Sequence, residues 1–244
     1  MRYLEFAGDG IPLLMIHGLG CASSFEYPHV ALAPALRGRR LILLDLLGFG
    51  YSDRPDDFSY RIRDHAFAVR SFIEAQKLER IDIYGHSMGG SIAIETADSL
   101  GDKVAHLVLS EANLDGGGGT FSRAIAAFEE ADYVSDGHSA YLTKADEAGN
   151  REWAAMMRAA SALAVHRSAT SLVEGGSPDW RSLFSKHPSQ KTFIFGERSL
   201  PDPDVQHLSS LGIQLRIVAD AGHSMATENP EGLAKAIAEA TTND

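Results

Sequence analysis

"IDIYGHSMGGSIAIE" (residues 81–95) decides how the rest of the chain is read. An apolar run ends in Gly85-His86-Ser87-Met88-Gly89, and an Ala/Ile-rich run with helical character follows over 88–99. A serine bracketed by glycines between a strand and a helix fits a very sharp turn. The serine backbone is strained there, and only glycine on either side lets strand and helix approach closely enough. Such a turn exposes the Ser87 hydroxyl and aims the following backbone N–H groups at the same spot, where an oxyanion would form. The alternative is a glycine-rich turn with an ordinary serine. His86 is rigidly adjacent to Ser87 and reads as a packing neighbour, not as its base.

Outward from this stretch, short apolar runs recur at 11–16, 40–45, 80–85, 104–110, 191–196 and 213–218. Near-continuous apolarity over so few residues predicts strands buried on both faces. Helical patterns lie between them. In 59–78, Ile62, Ala66, Val69 and Ile73 share one face, with Ser59 as the expected N-cap, and 229–241 opens on Asn229-Pro230. Strands alternating with helices imply parallel crossover units and an α/β layered fold. The alternation stops between Gly116 and Pro188, where the chain reads as helices, 151–173 among them as one run. This predicts a core of residues 1–115 and 189–244 with a helical cap, 116–188, inserted before the penultimate strand. "DGGGGT" (115–120) lacks a following Gly-Lys-Ser/Thr, so it reads as a hinge and not as a phosphate loop.

Composition narrows the function. The 244 residues are 44% apolar and 23% charged, an ordinary globular balance for one domain with an insertion. The net charge of −11 and the absence of a Lys/Arg cluster argue against nucleic acid or an anionic membrane as partner. The lone Cys21 cannot form an intrachain disulfide. No apolar run nears the roughly 18 residues of a membrane span and no leader is evident, so a cytoplasmic location is expected. No metal cluster or nucleotide motif is visible, so no cofactor or metal is expected. The expected partner is a small-molecule substrate, and oligomeric state is not readable.

Two further stretches carry chemistry. "MIHGLG" (15–20) ends a strand in a small-residue loop whose Leu19 N–H is a candidate oxyanion donor beside that of Met88; His17 reads as a loop-bracing histidine. "VADAGHSMATENP" (218–230) puts His223 on a loop between an apolar strand and a helix, where an imidazole can reach a serine at the sheet edge and transfer protons both ways.

With these motifs in order, together with "DLLGFGYSDRP" (45–55), the chain resembles an α/β-hydrolase of the capped, cofactor-free type over nearly its whole length. The resemblance implies a serine hydrolase with His223 as base, and it makes the 45–55 loop architectural, with no chemistry for Asp45, Asp53 or Arg54. It also exposes a departure. The family usually carries an aspartate in a Gly-x-x-Asp arrangement after the cap, and the position three after Gly196 is Ser199. Glu111, at the end of the strand before the cap, is the preferred replacement, with Asp202, Asp204 and Asp115 as alternatives. A pre-cap glutamate without the post-cap aspartate occurs in some haloalkane dehalogenases. Those use an aspartate nucleophile, and residue 87 is serine. The expectation is therefore ester cleavage through Ser87, His223 and Glu111, with C–C bond, thioester or lactone hydrolysis, perhydrolysis, or a low-turnover receptor as alternatives. Phe121, Phe128, Tyr133, Trp153, Met156 and Met157 are pocket or core candidates in the cap, and His138 and His166 stay open as substrate contacts.

Overall fold

In the computed structural model, which describes residues 1–242, seven strands form one sheet in the order β1-β3-β2-β4-β5-β6-β7. They are β1 (Arg2–Phe6), β2 (Asp9–Ile16), β3 (Arg39–Asp45), β4 (Ile81–His86), β5 (Val104–Ser110), β6 (Gln190–Gly196) and β7 (Gln214–Val218). Six of these match the expected apolar runs. β1 is the exception: it pairs antiparallel with β3, Arg2 opposite Asp45, while the other pairs are parallel. Its residues are mostly exposed, so "RYLEF" offers no buried run to read.

The interior strands bury both faces, as their composition requires. Leu14 and Ile16 of β2 join the cluster under the helices Ile62–Ala75 and Met88–Leu100. Leu13 and Met15, between them in sequence, face the opposite cluster under Pro230–Ala240. This period-two split is the physical meaning of an uninterrupted apolar strand. Truncating one of these fully buried leucines to alanine removes about 2–5 kcal/mol.

Two local readings are corrected. The helix of 59–78 begins at Ile62 with Arg61 at its N-cap. Ser59 lies just before it, where its hydroxyl accepts from the Arg61 N–H at 3.2 Å. The expected run 151–173 is two helices, Arg151–Met157 and Ala162–Glu174. Ser161 caps the second, and its own N–H is taken by the Gly48 carbonyl at 2.7 Å. That long-range bond breaks the helix where local propensity would continue it. At the far end, Asn229 caps Pro230–Ala240 as expected, accepting from Gly232 N–H at 2.8 Å.

Between β5 and β6 the described residues are helical or irregular, without a strand. Trp180–Lys186, the last helix of this segment, packs on Met88–Leu100, with the Trp180 indole donating to Glu95 at 2.7 Å. From β2 the chain turns first to one side, to β3, and then to the other, to β4. A crevice opens at such a reversal, outside the carboxyl ends of the strands. The loops after β2 and β4 both open into it.

Candidate active site

Ser87 sits where β4 gives way to the helix Met88–Leu100, with φ 51° and ψ −119°. A non-glycine residue held there stores on the order of 1–3 kcal/mol, and the surroundings must enforce it. They do so by closeness. A Cβ on Gly89 would lie 2.4 Å from the Ile16 carbonyl oxygen, and one on Gly85 would lie 2.4 Å from the Gly89 carbonyl oxygen. The Ser87 N–H donates to the Ser110 carbonyl at 3.0 Å, which ties the bend to the end of β5.

Glu111 follows β5 directly, also at positive φ, 41°. Its Oε2 accepts from His223 Nδ1 at 3.0 Å, and its Oε1 accepts from the Gly196 N–H at 3.0 Å. Burial alone would raise its pKa. Hydrogen bonds from His223, Ser199 and Gly196, with the His223 charge, overcome this and hold it down at about 2. Ser199, at the position the family usually gives to aspartate, thus supports the relocated carboxylate. The alternative acids are engaged elsewhere. Arg181 grips Asp115 and Asp204, at 3.0 and 2.7 Å, and Asp202 accepts from the Asp204 N–H at 2.7 Å.

The loop carrying His223 is braced by Glu228, which accepts from the Gly222 N–H at 2.6 Å and pairs with Arg198 at 3.2 Å. His86 packs its ring 4.7 Å from that of His223 and hydrogen-bonds Ser110 Oγ at 3.0 Å. Burial, then the His223 charge, push its pKa down to about 3, so it stays neutral.

Leu19 and Met88 are buried beside this turn. His17 braces the Leu19 loop: its Nδ1 donates to the Gly18 carbonyl at 2.8 Å, and its Nε2 accepts from Leu46 N–H at 3.1 Å. Burial lowers its pKa, which favours the neutral ring. From the cap, the Trp153 indole donates to the Leu19 carbonyl at 2.9 Å. Asp45 accepts from Ser24 and from Tyr51 N–H, and so works in the architecture of its loop.

Ser87, His223 and Glu111 line one cavity of about 720 Å³. Phe121, Trp153 and Met156 supply its apolar wall, with Phe121 and Trp153 stacked 4.7 Å apart. Tyr133 and Met157 pack in the core instead, and Phe128 is exposed, its ring meeting that of Tyr133 edge-on at 5.6 Å. His138 and His166 are turned to cap contacts, Tyr133 Oη at 3.1 Å and the Phe128 carbonyl at 2.8 Å, and neither lines the cavity. Glu26 does line it and was missed in the sequence reading. It is 6% exposed, on the short helix Ser23–Glu26 after the Leu19 loop. No local signal in "SSFEYP" points to it, since the neighbouring Phe25 is exposed while Glu26 is buried.

A family model described as alpha/beta hydrolase family matches residues 13–236. The chain belongs to the alpha/beta hydrolase family. Among curated relatives, the chain is 38% identical over 110 residues to a 2-hydroxymuconate semialdehyde hydrolase of Pseudomonas sp. (strain CF600). That match covers 43% of this chain and 38% of the relative. It is also 38% identical over 103 residues to haloalkane dehalogenase 2 of Mycobacterium bovis, covering 42% of this chain and 35% of the relative. The match thus spans well under half the length of these relatives. Solved structures agree over nearly the whole fold. An esterase from Exiguobacterium antarcticum superposes with TM-score 0.80 at 21% identity, covering 97% of this chain and 93% of that one. A thermophilic esterase from Thermogutta terrifontis gives 0.77 at 20%, covering 98% and 91%. At such identities the likeness concerns the fold.

Proposed function

We propose that this hydrolase cleaves carboxylic esters of small or medium apolar substrates through an acyl-enzyme on Ser87. The observation that carries this is the His223–Glu111 pair, 3.0 Å apart, on the wall of the cavity that also holds the strained Ser87. Ser87 Oγ attacks the ester carbonyl carbon and its proton passes to His223 Nε2. The backbone N–H groups of Leu19 and Met88 receive the oxyanion. As the tetrahedral intermediate collapses, His223 returns the proton to the departing alcohol oxygen. Water then repeats the sequence on the acyl group. Ionised Glu111 fixes the tautomer of His223 with the proton on Nδ1 and stabilises the imidazolium.

Hydrolysis of p-nitrophenyl esters of rising acyl length tests this. Ser87→Ala should abolish turnover and leave the fold intact by circular dichroism. Full activity in that variant would sink the mechanism. The 38% identity to a 2-hydroxymuconate semialdehyde hydrolase favours a second reading, hydrolysis of a C–C bond by the same three residues. A vinylogous diketone assayed beside the esters separates the two, since an ester enzyme leaves it untouched.

A further inference from the structure

His86 takes no part in the mechanism above, yet one of its ring nitrogens stands open on the cavity. Its Nδ1 lies 3.2 Å from the Ser110 carbonyl oxygen and 3.0 Å from Ser110 Oγ. A carbonyl only accepts, so Nδ1 carries the ring proton and Nε2 is left as a bare acceptor. Nε2 has no hydrogen-bond partner among the described residues. Unlike His65 Nδ1 and His106 Nε2, which also lack partners, it is not sealed from solvent. The ring lines the cavity of Ser87 and His223, and its centre lies 4.7 Å from that of His223. Gly18 shows where the open edge sits. A Cβ on Gly18 would lie 3.2 Å from His86 Cδ2, the carbon bonded to Nε2, and 3.4 Å from Ser87 Cβ. The open edge of His86 and the side chain of Ser87 thus flank one point.

We propose that His86 holds the water that cleaves the acyl-enzyme, its Nε2 accepting from one of that water's two O–H groups. The proposal rests on the acyl-enzyme reading of Ser87. In the second half of that reaction a water oxygen attacks the acyl carbon, and the carbonyl π pair moves onto the oxygen facing the Leu19 and Met88 N–H groups. One water proton passes to His223 Nε2. Collapse then expels Ser87 Oγ, which recovers that proton, and the free acid leaves. The second water proton stays on the attacking oxygen throughout and needs an acceptor, because an unpaired O–H in a desolvated site is costly. Glu111 spends its two carboxylate oxygens on His223 and Gly196. His86 Nε2 is the open acceptor beside His223. Burial keeps its ring neutral, so it accepts the hydrogen bond without competing for the proton that His223 takes.

The test divides one acyl-enzyme between two nucleophiles. p-Nitrophenyl butyrate is turned over in buffer containing methanol, and methyl butyrate and butyrate are measured by gas chromatography. Their ratio is blind to how well a variant binds or acylates, since both products come from the same butyryl-enzyme. Methanol brings one O–H proton, which goes to His223, and needs no second acceptor. His86→Phe and His86→Leu should raise the ratio of methyl butyrate to butyrate roughly 3- to 10-fold over wild type, the worth of one net hydrogen bond. His86→Gln, whose carboxamide oxygen reaches the place of Nε2, should stay near wild type. An unchanged ratio in the phenylalanine or leucine variant overturns the role of His86 and leaves the acyl-enzyme standing. Should both apolar variants fail to fold, a ratio raised as far in His86→Gln overturns it, and a ratio near wild type supports it. No cleavage of the ester by the wild type, or undiminished cleavage by Ser87→Ala, overturns the acyl-enzyme reading itself.

Discussion

Glu26 and Glu111 line the same cavity, yet their acidities part by several orders of magnitude. Glu111 is held at about 2 and Glu26 is raised to about 7. Burial acts on both in the same direction. The difference lies in depth, greater for Glu26, and in what each carboxyl receives. Glu111 accepts the Gly196 N–H and His223 Nδ1, both at 3.0 Å, whereas Glu26 has an oxygen without a partner. Depth and donors together decide which carboxyl stays ionised. Two carboxyls pushed apart in this way mark different roles in one site.

The largest test of the contrast is catalytic. Glu111→Gln should lower kcat about 10³- to 10⁴-fold, because an amide no longer holds the histidine tautomer. Glu26→Gln should cost far less on the same p-nitrophenyl ester, and equal losses would erase the distinction. The next test is stability against pH. The folded pKa of Glu26 lies above its ordinary value of 4.5, so its contribution is complete below about 4.5 and is lost as pH rises through about 7. The loss is on the order of 3 kcal/mol. The groups that bear on it are Tyr27, His223 and Cys21. Glu26→Gln should remove this loss in urea titrations at pH 5 and pH 8. Glu111 has the opposite sign: its contribution is present above about 4.5 and is lost as pH falls towards 2. A variant profile parallel to wild type would show that Glu26 is not raised.

Smaller effects follow. Trp153→Phe keeps the stack on Phe121 but deletes the bond to the Leu19 carbonyl, about 1 kcal/mol, and should lower kcat/KM about fivefold for every ester alike. A loss confined to bulky esters would assign Trp153 to the pocket wall only. Asp202→Asn should change kcat by less than about twofold, since its carboxylate serves the Asp204 N–H. A large loss would return the acid role to the post-cap loop.

Much of this site was legible because its signals are local. Ser87 announces itself through Gly85 and Gly89, and the helix face of Ile62, Ala66, Val69 and Ile73 is periodic. Glu111 was reachable because a strand end has a known direction, and its contact with His223 follows from the parallel order of β5 and β6. Other features depend on distant partners. Nothing near Ser161 announces the Gly48 carbonyl that splits the cap helix. β1 hides because an exposed edge strand needs no apolar run. Glu26 escaped because glutamate is ordinarily a surface residue, and only tertiary packing buries it.

The chain touches itself just before the first helix of the inserted segment and at the end of Ala162–Glu174. Gly117 N–H donates to the Val173 carbonyl at 2.9 Å, and a Cβ on Gly175 would lie 2.8 Å from Gly116 Cα. The intervening helices are therefore a stem-tied insert whose length and sequence can drift without shifting β5 or β6. Ser87, Glu111, His223 and Glu26 all lie outside it. Selection can rework Phe121 and Met156 of the cavity wall while Ser87, Glu111 and His223 stay still, whereas Trp153 is tied to the Leu19 loop.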